Sequence, residues 1–332
     1  MHNLNRYLIV SDFDGTAFDT FSPSPTGMNV YKAYQLTLDK IFGNGIGEWF
    51  FKLFGLRSRT PSEIITAILE WNKELKEGFI RKGREFFDKE QGKWEPIIPE
   101  SKDGRLNWSD ESPQIALTQM LVLQKLKYLL NEVGEKDTGG EMWPKPCEGL
   151  TDFLHILQEL QQEGHPLDFA VLSSGHESLI RKSFDIWDLP QPRILVTEDD
   201  IRSRKYPEEQ ERRFKPGSFP LALVHQKWLR DQGVTSDSSS FMRTAMESKQ
   251  RIMCIGDNIE TDLFMAIRAN IRGYLYPHTP WGAIAKLLNQ RKDLLDGRPF
   301  SEIISESRNG IETDLLLPDK LSPKYKRGLE RV

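Results

Sequence analysis

Cysteine is nearly absent: Cys147 and Cys254 are the only two in 332 residues. That excludes a disulfide framework and a cysteine zinc site. Cys254 lies inside the apolar run Ile252-Met253-Cys254-Ile255 and reads as core. Long apolar stretches are missing too, so no segment approaches membrane-spanning length. The amino-terminus has no basic region followed by an apolar run of signal-peptide size. No basic block occurs and the net charge is −4. Nucleic acid and anionic membranes are therefore not expected partners. No internal repeat is present. The expectation is a cytoplasmic protein in a reducing compartment. What remains is ordinary for a globular chain, with 38% hydrophobic and 28% charged residues. Such a chain can bury one large core or two modest ones.

Short apolar runs alternate with helical patterns over much of the chain. Tyr7-Leu8-Ile9-Val10 reads as a fully buried strand. So do 168–173, 193–197, 251–255 and 273–276. Between and after them, helical spacing covers Leu150 to Leu160, 176–184, 218–230, 260–270 and 281–296. Strands alternating with helices imply βαβ units and a parallel sheet. The stretch 20–146 differs and reads as mainly helical. Thr60-Pro61-Ser62-Glu63 is a helix start followed by Ile64, Ile65, Ile68 and Leu69. Ser112-Pro113 opens another helix, with Ile115, Met120, Leu123, Leu126, Leu130 and Val133 along it and Gly134 at its end. The charged, aromatic-studded part 79–110 shows no clear period. The loops 198–213 and 236–240 are charged and polar respectively. The tail after Gly297 carries only one short amphipathic segment. The domain reading is a core of 1–19 and 147–296, an insertion of 20–146 and an extension of 297–332.

Three apolar runs end in residues suited to chemistry. The first ends in Ser11-Asp12-Phe13-Asp14-Gly15-Thr16. Side chains two apart on a strand face the same way, so Asp12 and Asp14 can converge if the extended path continues. Gly15 then allows a sharp turn. The second run ends in Ser173-Ser174-Gly175-His176. The third ends in Gly256-Asp257-Asn258-Ile259-Glu260-Thr261-Asp262. In a parallel sheet all three ends share one edge, where ligands of open α/β folds bind.

Together they hold what phosphoryl transfer needs. Asp12 can act as nucleophile, and Asp14 as the acid and base for the leaving oxygen and for water. Asp12 and Asp257 can hold Mg²⁺, which favours a few carboxylates plus water. Ser173, Ser174 and Gly175 can bind phosphoryl oxygens, helped by the following helix start. Lys215, in Phe214-Lys215-Pro216-Gly217, is the candidate balancing cation; Arg202, Arg204 and Lys205 compete for that role but read as a solvated loop. Blander readings coexist. Asp12 and Asp14 could form a solvated turn, and Ser173 and Ser174 could cap a helix. Asp257 could be a turn residue and Asp262 a helix-start carboxylate. His176 reads as a helix-start residue, and Trp49, Phe50, Phe51 and Phe54 as core of the insertion. Asp19 reads as solvent-facing, though it lies close to the first motif.

These motifs resemble the haloacid dehalogenase-like hydrolase superfamily. Asp12-Phe13-Asp14-Gly15-Thr16 is similar to its first motif and Leu172-Ser173 to its second. Phe214-Lys215-Pro216-Gly217-Ser218-Phe219 is similar to its third, and Gly256 to Asp262 to its fourth. The resemblance covers roughly 5–20 and 147–290. It implies a Rossmann-like parallel α/β core, with Asp12 ending the central strand, and an inserted helical cap. It further implies an aspartyl-phosphate on Asp12, acid–base work by Asp14, and a phosphoryl group held by Ser173 and Lys215. Mg²⁺ would bind Asp12, the Asp14 carbonyl and Asp257, with Asp262 and Asn258 in support. Asp262 would join the metal shell or brace Lys215.

The expected activity is Mg²⁺-dependent hydrolysis of a small phosphorylated metabolite. Asp14 discriminates against a dehalogenase, which in this superfamily lacks that acid. A sugar-phosphate mutase would use the same residues. A non-catalytic phosphate-binding protein is the reading outside enzymes. The sequence names neither the substrate nor the oligomeric state.

Overall fold

The computed structural model describes residues 6–55, 61–71, 73–90, 108, 112–197, 200, 215–234, 241–276 and 280–290. Its centre is β1 (Tyr7–Ser11), buried along its whole length. It pairs in parallel with β4 (Leu167–Leu172) on one side and β6 (Ile252–Gly256) on the other. β5 (Ile194–Val196) and β7 (Arg272–Leu275) flank these, giving the order β5-β4-β1-β6-β7. A strand between two parallel neighbours, covered on both faces, has no wet side. That is why its sequence is a continuous apolar run. The fold is a Rossmann-like parallel α/β sheet, and the five strands read from the sequence are these five within a residue or two.

One face of the sheet packs Leu8, Val10, Ala170, Leu172 and Cys254 against Leu221, Val224 and Trp228 of a helix spanning Phe219–Asp231. The other face is aromatic. Phe169 lies 5.8 Å from Phe153 and 6.2 Å from Trp281, centroid to centroid. Phe184 joins Phe169 to Phe18, and Phe18 lies 5.3 Å from Phe13. The helices supplying these rings span Leu150–Gln162, Glu177–Ile186 and Trp281–Gln290. In the first, Leu150, Phe153, Leu154, Leu157 and Leu160 are all buried, the face their spacing predicts.

By contacts the chain divides into two compact units, 1–19 with 145–332, and Thr20–Pro144. In the first unit β2 (Phe18–Asp19) and β3 (Lys145–Pro146) form an antiparallel ribbon. The second unit contains helices Val30–Phe42, Ile46–Phe54, Pro61–Trp71, Lys73–Glu90 and Pro113–Glu132. Asn29 caps the first, its side chain accepting from the Lys32 amide at 2.8 Å. Lys73–Glu90 occupies part of the stretch with no clear period, because charge on most of its surface dilutes the apolar signal. The pattern read along Pro113–Glu132 needs correction. Ile115 is 55% exposed, while Ala116, Leu117, Leu121, Val122 and Leu129 are buried. This helix is covered by Val30–Phe42, Pro61–Trp71 and Lys73–Glu90. Burial from several sides blurs a single-face period. Phe50 is buried, whereas Trp49, Phe51 and Phe54 are half-buried. Thr60, the loop 198–213 apart from Asp200, the loop 236–240 and the extension 297–332 lie outside the described residues. No helix among the described residues is long and apolar enough to cross a membrane.

At the amino-terminal edge of the sheet, Asp168 on β4 is fully buried. It accepts from Arg6 Nε at 2.8 Å and Nη2 at 2.6 Å, Arg193 Nη1 at 3.1 Å and Trp228 Nε1 at 2.8 Å. Burial pushes its carboxyl pKa up, but Arg6, Trp228 and Arg193 outweigh burial and the net shift is down. Asp168→Ala leaves the Trp228 N–H buried without a partner, while the two part-exposed arginines can turn to water. The expected loss is about 2–3 kcal/mol in urea unfolding at neutral pH. Because the folded pKa is depressed, the wild-type advantage is present above the ordinary carboxylate range. It shrinks as pH falls through the folded pKa, so the two proteins converge in acid.

Candidate active site

β1, β4 and β6 are parallel neighbours, so their carboxyl ends meet at one edge. Asp12 follows β1 directly, its amide bonded to the Ile255 carbonyl of β6 at 2.8 Å. Phe13 is fully buried in the aromatic layer. Alternation along an extended chain therefore turns Asp12 and Asp14 the other way. The loop then closes tightly: Gly15 has φ 76°, and its amide donates to the Phe18 carbonyl at 2.8 Å. A left-handed φ there favours glycine. Trp281 Nε1 holds the Thr16 carbonyl at 2.8 Å, a contact that no local sequence signal announced.

After β4, Ser173 is buried and its Oγ accepts from the Gly175 amide at 2.8 Å. A Cβ placed on Gly175 would stand 3.0 Å from Ser173 Oγ and 3.8 Å from Asp14 Oδ2. The hydroxyl, the Asp14 carboxylate and the glycine backbone thus share one small space. Ser174 is exposed. Neither serine caps the next helix. His176 is the N-cap residue, 3% exposed, which agrees with a helix-start role.

After β6 the chain makes a wide π-type turn at Ile259–Leu263 before a short helix, Phe264–Arg268. A regular helix was expected over 260–270. The turn widens because the Asp262 and Leu263 amides both reach back to the Asn258 carbonyl. Asn258 also caps it, its Oδ1 accepting from the Glu260 amide at 2.9 Å. The result presses the Asp262 side chain against Gly256. A Cβ on Gly256 would lie 2.3 Å from Asp262 Cβ, so only glycine fits. Such single-turn π segments recur at functional sites.

Lys215 joins these ends. Its Nζ donates to Asp12 Oδ1 at 2.5 Å and to Asp262 Oδ1 at 2.7 Å, with the lysine side chain only 8% exposed. Asp262 Oδ2 accepts from the Asn258 amide at 3.2 Å. Arg268 Nη1 holds the Pro216 carbonyl at 3.0 Å, tying down the turn that carries Lys215. Ligand oxygens of Asp12, Asp257 and Asp262 all lie within 4.8 Å of one another. Asp14 is not one of those three. Phe214 and the competing cations Arg202, Arg204 and Lys205 lie outside the described residues.

The electrostatics are lopsided, with four carboxylates around one ammonium. Burial is the largest influence on Asp12 and pushes its pKa well up. Lys215 pulls it back, and Asp262, Asp257 and Asp14 push it up again. Burial also opposes charge on Lys215, but Asp12 and Asp262 outweigh it and hold the ammonium protonated. Asp257 is pushed up to about 6, by burial first, then by Asp262 and Asp14 against the pull of Lys215. The excess negative charge and the hard oxygen donors fit a divalent cation such as Mg²⁺. The thiols contribute nothing: burial pushes Cys147 and Cys254 up to about 12, with Asp19 a further influence on Cys147. Asp19 itself is half-buried.

No known protein-family profile and no curated protein matches the chain. Among solved structures, it is similar to a predicted phosphoglycolate phosphatase from Haemophilus somnus 129PT, at 11% identity and TM-score 0.41 over 81% of this chain and 84% of that one. It is also similar to CbbY from Rhodobacter sphaeroides in complex with phosphate, at 13% identity and TM-score 0.42 over 82% and 86%. A 2-haloacid dehalogenase from Pseudomonas syringae pv. tomato DC3000 gives 13% and 0.39 over 86% and 99%. At TM-scores below 0.5, these likenesses carry no weight in assigning the chemistry.

The Gly256 contact makes a direct prediction. Gly256→Ala must move Asp262 and with it the brace on Lys215. The expected cost is about 1–3 kcal/mol of overpacking, read from chemical denaturation. An unchanged midpoint would mean that Asp262 is not held against Gly256.

Proposed function

We propose that this chain is a phosphohydrolase of the haloacid dehalogenase-like superfamily, cleaving a small phosphomonoester with Asp12 as nucleophile. The observation that carries the reading is the buried Lys215 bridge between Asp12 and Asp262. It joins the third motif to the first and fourth. A carboxylate kept from water and aimed by an ammonium is suited to attack phosphorus. The same ammonium can neutralise phosphoryl oxygens in the transition state.

In this reading Asp12 Oδ attacks phosphorus and the ester P–O bond breaks. The departing alkoxide takes its proton from Asp14, leaving phosphate on Asp12. Asp14, now a base, removes a proton from water. The water oxygen bonds to phosphorus, the acyl-phosphate P–O bond breaks, and Asp12 is regenerated with release of phosphate. Ser173 and the Gly175 amide, close to Asp14, are suited to hold phosphoryl oxygens. Asp12, Asp257 and, by the resemblance, the Asp14 carbonyl would bind Mg²⁺. That ion supplies charge neutralisation and orientation for the phosphoryl group. Both oxygens of Asp262 already accept hydrogen bonds, which favours a bracing role on Lys215 over direct metal ligation. The helical unit Thr20–Pro144 takes the part of a cap that selects the substrate. The Asp14 carboxylate argues for phosphate ester cleavage over dehalogenation.

Asp12→Asn should lower phosphate release from an aryl phosphate at least about 10³-fold while leaving the circular-dichroism spectrum unchanged. Turnover near wild type in that variant would end the nucleophile assignment. Chelation should stop the reaction and Mg²⁺ should restore it. Protons compete with the ion for Asp257, whose pKa is about 6. Apparent Mg²⁺ affinity should therefore fall by about tenfold per pH unit below that value and level off above it. Calorimetric titration from pH 5 to 8 checks this, and a flat profile would remove Asp257 from the ligand set.

A further inference from the structure

Thr16 lies in the loop that carries Asp12 and Asp14, and its polar groups are served unequally. It is fully buried, and its hydroxyl has no hydrogen-bond partner among the described residues. Its carbonyl accepts from Trp281 Nε1 at 2.8 Å. The neighbouring bonds stay inside the loop: the Gly15 amide donates to the Phe18 carbonyl, and the Ala17 and Phe18 amides donate to the Phe13 carbonyl. Two bonds reach this end of the loop from distant parts of the chain. One is the Cys147 amide on the Ala17 carbonyl at 2.8 Å, and the other is the Trp281 indole on Thr16.

Trp281 is a fixed point. It is fully buried, with its ring centroid 4.8 Å from that of Phe153 and 6.2 Å from that of Phe169. The helix it opens is locked in turn. A Cβ on Gly149 would stand 2.5 Å from the Gly282 amide nitrogen, so the starts of helices Leu150–Gln162 and Trp281–Gln290 meet backbone to backbone. A ring packed in this way cannot swing to follow the loop; the carbonyl must come to the indole.

The two carboxylates depend on that point unequally. Asp12 is held by β6 through its amide and by Lys215 through its side chain. Asp14 lies past the end of β1, inside the closed loop and two residues before Thr16. Its Oδ2 shares the small space of Ser173 Oγ and Gly175. A shift of Thr16 therefore moves Asp14 more than Asp12. We propose that Trp281 is a positioning residue for Asp14: by holding the Thr16 carbonyl, its indole N–H sets the reach of the Asp14 carboxyl to the leaving oxygen. This rests on the reading of Asp12 as nucleophile and Asp14 as acid, and it gives the indole donor a task beyond that of filling space.

The test measures kcat/KM of the full chain with Mg²⁺ on para-nitrophenyl phosphate, which has a good leaving group, and on phenyl phosphate, which has a poor one. That parameter runs through departure of the alcohol and excludes the later attack of water. The poor leaving group depends more on the Asp14 proton. Trp281→Phe keeps an aromatic ring in the layer and removes the donor. It should lower kcat/KM about tenfold on phenyl phosphate and less than about twofold on the nitrophenyl ester. Trp281→His does the reverse, because imidazole has the outline of the pyrrole half of indole and carries Nε2 where indole carries Nε1. It should unfold at lower urea yet keep the wild-type ratio between the two esters. Either variant suffices if the other does not fold. In an Asp14→Asn background Trp281→Phe should add no further loss, since the acid it positions is gone. The proposal is overturned if Trp281→Phe slows both esters equally or neither, if its loss persists undiminished in Asp14→Asn, or if Trp281→His alters the ratio as Trp281→Phe does. Failure of the underlying reading looks different. Asp12→Asn would then keep turnover, or Asp14→Asn would itself treat the two esters alike, and the positioning role would fall with it.

Discussion

One ammonium in a buried place organises the carboxyl edge of this sheet. Lys215 bridges Asp12 and Asp262, giving both carboxylates a partner in a place with little water. The bridge fixes three loops at once, because each partner comes from a different strand end or turn. It also leaves a surplus of negative charge, which adds to burial in raising the pKa values of Asp12 and Asp257. The site is thus short of positive charge by design of its residues. In the proposed reading, a divalent cation and Lys215 together would offset the charge of the carboxylates and of a phosphoryl group.

The bridge works only because the backbone beneath it is rigid. Phe13 sinks into an aromatic layer with Phe18, Phe184, Phe169, Phe153 and Trp281. Trp281 also grips the Thr16 carbonyl. The Asp12–Thr16 loop is therefore anchored from the side opposite its carboxylates. On the other strand end, Gly256 lets Asp262 lie flat against the chain, and the π-type turn brings it there. Functional side chains held on strand ends by a packed layer are more exact in position than those on free loops.

The opposite edge follows the same electrostatic logic with signs reversed. There a buried acid, Asp168, gathers two arginines. Parallel strands place all their amino ends at one edge and all their carboxyl ends at the other, so one sheet can carry two charged clusters that do not cancel. Much of this was legible beforehand. The central strands announced themselves as unbroken apolar runs, and Asp12, Ser173 and Asp257 as polar residues ending them. Less legible was the helix Pro113–Glu132, because neighbours cover it on more than one side and Ile115 points away from them. The charged helix Lys73–Glu90 was hidden for the opposite reason, its apolar residues being few.

What the sequence by itself determined was local: which runs are buried, where they turn, and which reactive side chains sit at their ends. Alternation and periodicity encode those properties within a few residues. Only the tertiary structure decided the pairings. Lys215 meets Asp12 from 203 residues away and Asp262 from 47. Trp281 reaches Thr16 across 265 and Arg6 reaches Asp168 across 162. No local pattern specifies such contacts, since a lysine before a helix looks the same whether it faces solvent or a buried carboxylate. The register of parallel strands, fixed by burial on both faces, brings those distant groups to one edge.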